Sequence, residues 1–145
     1  MKLSTKSRYG LRVLLQIAID SADNQVVTGR ELAEKQAISE PYLEQIMIPL
    51  KNCGAVSTVR GCRGGYRLKK PAAEISVLDV IELFEGKLCL VNCDDSKEPC
   101  PRCDHCTTSQ VWRELSETLR AKARSISIAQ LAEEEKMRNQ PEFVI

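Results

Sequence analysis

Two helix-start signals eleven residues apart, followed by a glycine-rich basic turn, constrain the fold of this chain more than any other feature. Thr28-Gly29-Arg30-Glu31 is a capping-box pattern, in which a hydroxyl and a carboxylate three residues on satisfy each other's backbone N–H groups. Leu32 and Ala33 follow, and the pattern predicts a short helix that stops near Ala37-Ile38. Ser39 starts another helix, with Pro41 in its first turn, where a missing N–H costs nothing. Tyr42, Leu43, Ile46, Met47 and Leu50 recur at helical spacing. Pro49 is expected to kink this helix or split it in two, and Gly54 to end it. Val56–Val59 then reads as a strand and Tyr66–Leu68 as its return, with Arg60-Gly61-Cys62-Arg63-Gly64-Gly65 at the tip between them.

The flanks extend this pattern. Ser4 reads as the cap of a first helix with Leu11, Leu14, Leu15, Ala18 and Ile19 on its apolar face, and Asn24 lies in the turn after it. Ser76 with Asp79 caps a helix through Phe84 that Gly86 terminates. A long helix starts near Thr107 or Thr108, with Val111, Trp112, Leu115 and Leu119 as an apolar stripe. Ser125 or Ser127 begins a final short helix around Ile128–Leu131, the run Glu133–Glu135 reads as its solvated end, and the tail Asn139–Ile145 as loose. The predicted fold class is mainly α with a small β wing: a winged helix-turn-helix plus a long C-terminal dimerisation helix. The expected division is 1–86 for the winged helix-turn-helix, a candidate DNA-binding domain; 87–106 for a cysteine-rich candidate sensor loop; 107–131 for the long helix, a candidate dimerisation element, and the short C-terminal helix; and 132–145 for a flexible tail.

The physics of that order points to DNA. A helix fits the major groove, where base edges are distinguishable, and a hairpin carrying Arg reaches the flanking backbone or minor groove. Charge agrees: residues 1–70 hold 12 Lys and Arg against 6 Asp and Glu, whereas residues 71–145 hold 9 against 14. A basic half on a chain of net charge +1 suits a polyanion. Glu44 can accept from cytosine N4, Gln45 can pair with adenine, and Tyr42 can hydrogen-bond phosphate. Lys6 and Arg8 suit phosphate at the first helix's N-terminus. Arg60 and Arg63 are the wing's cations, and Thr28 and Ser39 belong to the same candidate set. Leu43 and Ile46 read as core.

The second signal is chemical. Cys93, Cys100, Cys103 and Cys106 lie in CDDSKEPCPRCDHC, and the two-residue gaps let thiolates converge on a soft metal or cluster. Seven cysteines, an odd number, read as ligands or sensor thiols in a reducing compartment before they read as a disulfide framework. The start MKLSTKSRYG has no long apolar run or small-residue cleavage site, and no stretch approaches a membrane span, so a cytoplasmic location is expected. Cys53 and Cys89 read as buried small hydrophobes. Cys62, between Arg60 and Arg63, is an exposed wing thiol whose modification would weaken DNA contact. An enzyme is not expected: His105 is the only histidine, and no Ser/His/Asp set, P-loop or dinucleotide glycine motif occurs.

Met1–Gly10, Ile38–Gln45, Val59–Tyr66 and Ser76–Gly86 resemble the Rrf2 family of bacterial winged-helix regulators, of the IscR, NsrR, RirA and CymR type, with a likeness that runs from Met1 to about Leu131. The resemblance implies that the helix from Ser39 to about Leu50 is the recognition helix. Pro41, Glu44 and Gln45 then match its base contacts, and Arg60 and Gly61 the wing contacts. In the cluster-bearing branch, positions matching Cys93, Cys100 and Cys106 hold an iron–sulphur cluster, 2Fe–2S or 4Fe–4S. IscR-like proteins complete the set with a histidine where this chain has Ser109. Three ligand sets follow: those three cysteines with a ligand from elsewhere, those three with Cys103, or zinc held by all four thiolates. A thiol switch without metal is a further alternative. The family implies a homodimer on a two-fold operator of double-stranded DNA, usually as a repressor, without membrane contact. The rival readings are an iron–sulphur redox protein whose helix-turn-helix is incidental, and a DNA-binding module whose loop senses nothing.

Overall fold

The computed structural model describes residues 2–21, 25–93 and 100–140. The described residues form six α-helices and a two-stranded sheet: α1 Thr5–Asp20, α2 Gly29–Gln36, α3 Glu40–Asn52, β1 Val56–Val59, β2 Gly65–Leu68, α4 Val77–Glu85, α5 Thr107–Arg124 and α6 Ile128–Arg138. The expected turn residue Asn24 lies outside the described residues. Among the described residues, no helix is long and apolar enough to cross a membrane.

Local capping explains most boundaries. Ser4 Oγ accepts from Ser7 N–H to start α1. Thr28 and Glu31 form the reciprocal capping box of α2, and Ser76 with Asp79 that of α4. Ser39 Oγ accepts from Tyr42 N–H at the start of α3. Helix α2 ends on Ala37 at φ 53°, with Ile38 N–H returning to Ala33 O at 3.0 Å. A non-glycine residue in the left-handed region costs about 1 kcal/mol, and this reversal sets α3 beside α2. Helix α3 ends the same way on Gly54, φ 76°, a conformation glycine adopts freely.

Helix α3 runs unbroken through Pro49, so the proline does not split it in two. The proline falls in the last turn, where it removes a single ladder bond. Ile46, Met47 and Leu50, all fully buried, hold that turn against the core. The apolar face of α1 also differs from expectation: Leu14 is buried as expected, but its buried apolar partners are Val13 and Ile17, while Leu11, Leu15, Ala18 and Ile19 are half-buried. Leu32, Leu43, Val56, Val80 and Ile128 complete one aliphatic core with them.

The final helix is longer than the sequence suggests. Helix α6 starts at its Ser127 cap and continues past Leu131 to Arg138, so residues 132–138 are helical, not a flexible tail. Ala132 is 5 % exposed and Ile128 fully buried, so packing on α1 carries the helix through the acidic run. Residues 141–145 of the expected tail lie outside the described residues.

Candidate nucleic-acid interface and cysteine loop

The periodicity of α3 divides it cleanly. Leu43, Ile46, Met47 and Leu50 are buried, which turns Pro41, Glu44, Gln45, Ile48 and Lys51 outward. Tyr42 is half-buried, its ring edge-on to Tyr9 at 6.0 Å and 89°. The Arg12 guanidinium lies 5.0 Å from the Tyr9 ring centre. The start of α3 is thereby anchored to α1, whose Lys6 and Arg8 are exposed at its N-terminus. Thr28 Oγ1 donates to Glu31 Oε2 at 2.8 Å and accepts from Glu31 N–H at 3.2 Å, so its hydroxyl is engaged in the cap. Ser39 Oγ only accepts, from Tyr42 N–H at 3.3 Å, and keeps a proton to donate.

The wing is a short antiparallel pair, Val56 opposite Leu68 through Val59 opposite Gly65. It is tied to the start of α2 by Tyr66 N–H to Val27 O at 2.7 Å and the reciprocal bond at 2.9 Å. Glycine is required at 65, because a Cβ there would stand 2.5 Å from Val27 O. Gly61 has φ 119° and turns the tip. Arg60, Gly61, Cys62 and Arg63 are exposed on it. Tyr66 sits between wing and helix; burial, then the Glu44 charge, raises its pKa, so the phenol stays neutral. Sequence reasoning missed Tyr66 and Ile48 as members of this surface. Ile48 is 52 % exposed, on the same outward face as Glu44 and Gln45.

The segment after α4 is pinned before the cysteines begin. Glu82 Oε1 accepts from Leu88 N–H at 3.0 Å and pairs with Arg120 of α5. Leu90 N–H donates to Ser116 Oγ at 3.0 Å. Leu88 packs with Leu78 and Ala123, joining α4 to α5. Cys93 is half-buried, and residues 94–99 of the loop lie outside the described residues. Cys103 N–H returns to Cys100 O at 3.0 Å, a single turn. A 3-10 turn over Cys103–His105 leads into Cys106, which stands at the N-cap of α5.

The Cys106 thiol has a lowered pKa. Its largest cause is the Thr108 hydroxyl, 3.2 Å from Sγ, and the Ser109 backbone N–H comes second. Ser109, standing where the histidine was expected, is 7 % exposed. Its hydroxyl donates to Cys106 O at 2.7 Å, so it braces the turn. Cys103, His105, Cys106 and Ser109 line a cleft of about 350 Å³. Soft thiols with one biased towards thiolate fit a thiophilic ion or cluster by chemistry. Among the described residues, however, no three Cys, His, Asp or Glu side chains are gathered for a metal. Outside the loop, Cys53 is exposed and Cys89 half-buried, a correction to both as buried hydrophobes. Cys53 follows the last residue of α3, and its thiol donates to Leu50 O at 3.3 Å.

Helix α5 has two unlike faces. Small residues Ser109, Ser116 and Ala123, seven apart, are buried against the chain's own body. Val111, Trp112, Leu115 and Leu119 remain 40–46 % exposed.

A helix-turn-helix with a polar outer face, set beside a glycine-rich basic wing, defines a winged-helix DNA-binding regulator. The Rrf2 family model, described as an iron-dependent transcriptional regulator, matches residues 3–134. The chain is 37 % identical over 131 residues to the rrf2 protein of Nitratidesulfovibrio vulgaris Hildenborough, covering 90 % of this chain and 87 % of that protein. It is 36 % identical over 137 residues to the regulator IscR of Xenorhabdus nematophila, covering 94 % and 82 %. Among solved structures, T. potens IscR superposes with a TM-score of 0.78 at 29 % identity, covering 98 % of this chain and 93 % of that one. CymR of B. subtilis, described as the global cysteine regulator, gives 0.75 at 30 % identity, covering 92 % and 97 %. The chain belongs to the Rrf2 family. Its class is a DNA-binding transcriptional regulator, a role without catalysis.

Proposed function

We propose that the chain is a homodimeric cytoplasmic repressor whose operator affinity follows the ligand state of the loop Cys93–Cys106. The observation that carries this reading is positional: the cysteine turn forms the N-terminus of α5, the helix with the uncovered apolar stripe. Val111, Trp112, Leu115 and Leu119 pack against the same residues of a second copy. Two recognition helices then face a two-fold operator. In each, Pro41, Glu44 and Gln45 meet base edges. Arg60, Gly61 and Arg63 on the wing, with Lys6, Arg8, Thr28, Ser39 and Tyr42, meet the backbone. The residues 1–86, 87–106 and 107–138 divide as DNA-binding head, switch and dimer element.

Cys93, Cys100 and Cys106, with Cys103 in fourth place, hold an iron–sulphur cluster, which when bound supplies iron–thiolate bonds sensitive to iron supply and redox state. Thr108 and Ser109 favour the Cys106 thiolate and brace its turn. Reordering that turn moves the start of α5. The Arg120–Glu82 pair and the Leu90–Ser116 bond pass the shift to α4 and the head. A tenfold change in operator affinity requires about 1.4 kcal/mol of difference between two arrangements.

Iron, acid-labile sulphide and zinc content, with an absorption spectrum, test this on protein purified without oxygen. Matching iron and sulphide with visible charge-transfer bands is the expected result, lost in Cys103→Ala and retained in Ser109→Ala. Stoichiometric zinc without sulphide would make the loop structural. No metal after reconstitution would overturn the cluster reading in favour of thiol chemistry.

A further inference from the structure

Ile48 is an anomaly on a helix whose buried and exposed positions, Pro41 of the first turn aside, otherwise sort by polarity. It is 52 % exposed, one of the few large apolar side chains left to solvent, and it lies outside the stripe of α5. Its neighbours on the same face are Glu44 and Lys51, one turn before and after. Together with Tyr66 these three line a cleft of about 280 Å³ between α3 and the base of the wing. At the other end of the face stands exposed Pro41. The outward face of α3 therefore reads apolar, polar, polar, apolar: Pro41, Glu44, Gln45, Ile48. Among the described residues, Ile48 keeps about half of its surface open to solvent. The face continues the surface that a winged-helix regulator turns towards the major groove.

The apolar group that base pairs present in the major groove is the thymine C5-methyl, which only A·T pairs carry. An exposed branched aliphatic side chain on the groove face gains nothing from phosphate and cannot satisfy a polar base edge. It gains only from a methyl. We infer that Ile48 is a specificity-determining residue that reads a thymine methyl in the operator. Glu44 and Ile48 are about 6 Å apart along the helix axis, four residues at about 1.5 Å each. That spans roughly one to two base-pair steps. The selected thymine lies within that distance of the base pair read by Glu44 and Gln45. This inference rests on the reading of α3 as the recognition helix.

The test needs no prior operator. The full-length protein is used to enrich binding sequences from a pool of random duplex DNA. Each thymine of the recovered site is then replaced singly by deoxyuridine, which removes the methyl and leaves every hydrogen-bonding group in place. Wild type and Ile48→Ala are titrated against both duplexes. Ile48→Ala fills an exposed helical position with a better helix former, so its thermal melt matches wild type. The expected result is one thymine position where deoxyuridine weakens wild type about fivefold, the order expected for one buried methyl, and leaves Ile48→Ala unchanged. Equal responses of the two proteins at every thymine would overturn the inference while leaving DNA binding intact. Failure of wild type to enrich any sequence would overturn both this inference and the DNA reading.

Discussion

The head and the cysteine loop of this chain are built by opposite rules. In the head each helix starts on a side-chain cap: Ser4, Thr28, Ser39 and Ser76 all accept a backbone N–H from within their own first turn. Fifteen buried residues then close a single aliphatic core, from Val13 to Ile128. Helix α5, by contrast, starts at Cys106 without a side-chain cap hydrogen bond. The described part of the loop before it is a turn and a short 3-10 segment, with no buried residue from Cys100 to Cys106. The head carries the free energy of its own order. From Cys100 to Cys106 the described loop has no apolar reserve, and a ligand held by its thiols would add to its order. A switch belongs in the second kind of region, because a local rearrangement there leaves the core untouched.

Mutations sharpen this contrast, and the largest effect belongs in the head. Leu14→Ala empties a fully buried site and is expected to cost about 2–5 kcal/mol in chemical denaturation, with DNA binding falling in parallel. Next comes assembly: Leu115→Glu places a charge in the centre of the α5 stripe, where two copies would bury it. Sedimentation should show a monomer, while the melt of the head stays within about 0.5 kcal/mol of wild type at this exposed position. Thr28→Ala removes a reciprocal cap and is expected to cost about 1 kcal/mol by the same denaturation assay.

A smaller, pH-dependent term ties α1 to α4. The Ser4 and Ser7 hydroxyls and the Ser4 N–H hold the Glu85 carboxylate below its ordinary value of 4.5. A depressed folded-state pKa means that the contribution is present above that value and is lost as pH falls through the lower folded value. Glu85→Gln should therefore flatten the acid limb of a stability–pH curve by lowering its neutral plateau, and leave the most acid region, where Glu85 is already protonated, nearly unchanged. The smallest effect on stability is expected in the loop. Cys106→Ala should leave metal-free protein within about 0.5 kcal/mol of wild type, yet abolish iron retention. A large loss of stability in metal-free Cys106→Ala would erase the distinction between the two regions.

How far the sequence carried the structure follows the same division. Caps and turn glycines were legible because their causes lie within three or four residues: the Thr28–Glu31 and Ser76–Asp79 boxes and Gly54 stand as expected. Long-range packing was not legible. The core fixes the phase of α1 on Val13 and Ile17 where Leu15 and Ile19 looked equally good. It also carries α3 through Pro49 and α6 through Glu133–Glu135. Ile48 lay outside the apolar stripe in the sequence, but the candidate contacts were sought among polar residues, so an exposed aliphatic one on that face was passed over. In the loop, the spacing named the cysteines as a group. Their convergence depends on a partner that sequence spacing does not supply, and Ser109 shows its role as a brace only once its hydroxyl is seen on Cys106 O.

The central claim is that the state of the loop sets the affinity of the head for DNA. The most direct measurement is the dissociation constant for one enriched operator duplex, taken by fluorescence anisotropy without oxygen. Reconstituted protein, chelator-stripped protein and stripped Cys106→Ala would be compared in one buffer at fixed salt. At least a tenfold difference between reconstituted and stripped protein is predicted, with stripped Cys106→Ala matching stripped wild type and not responding to reconstitution. Equal dissociation constants for loaded and stripped wild type would contradict the account and leave the loop as a passenger on a constitutive DNA-binding protein.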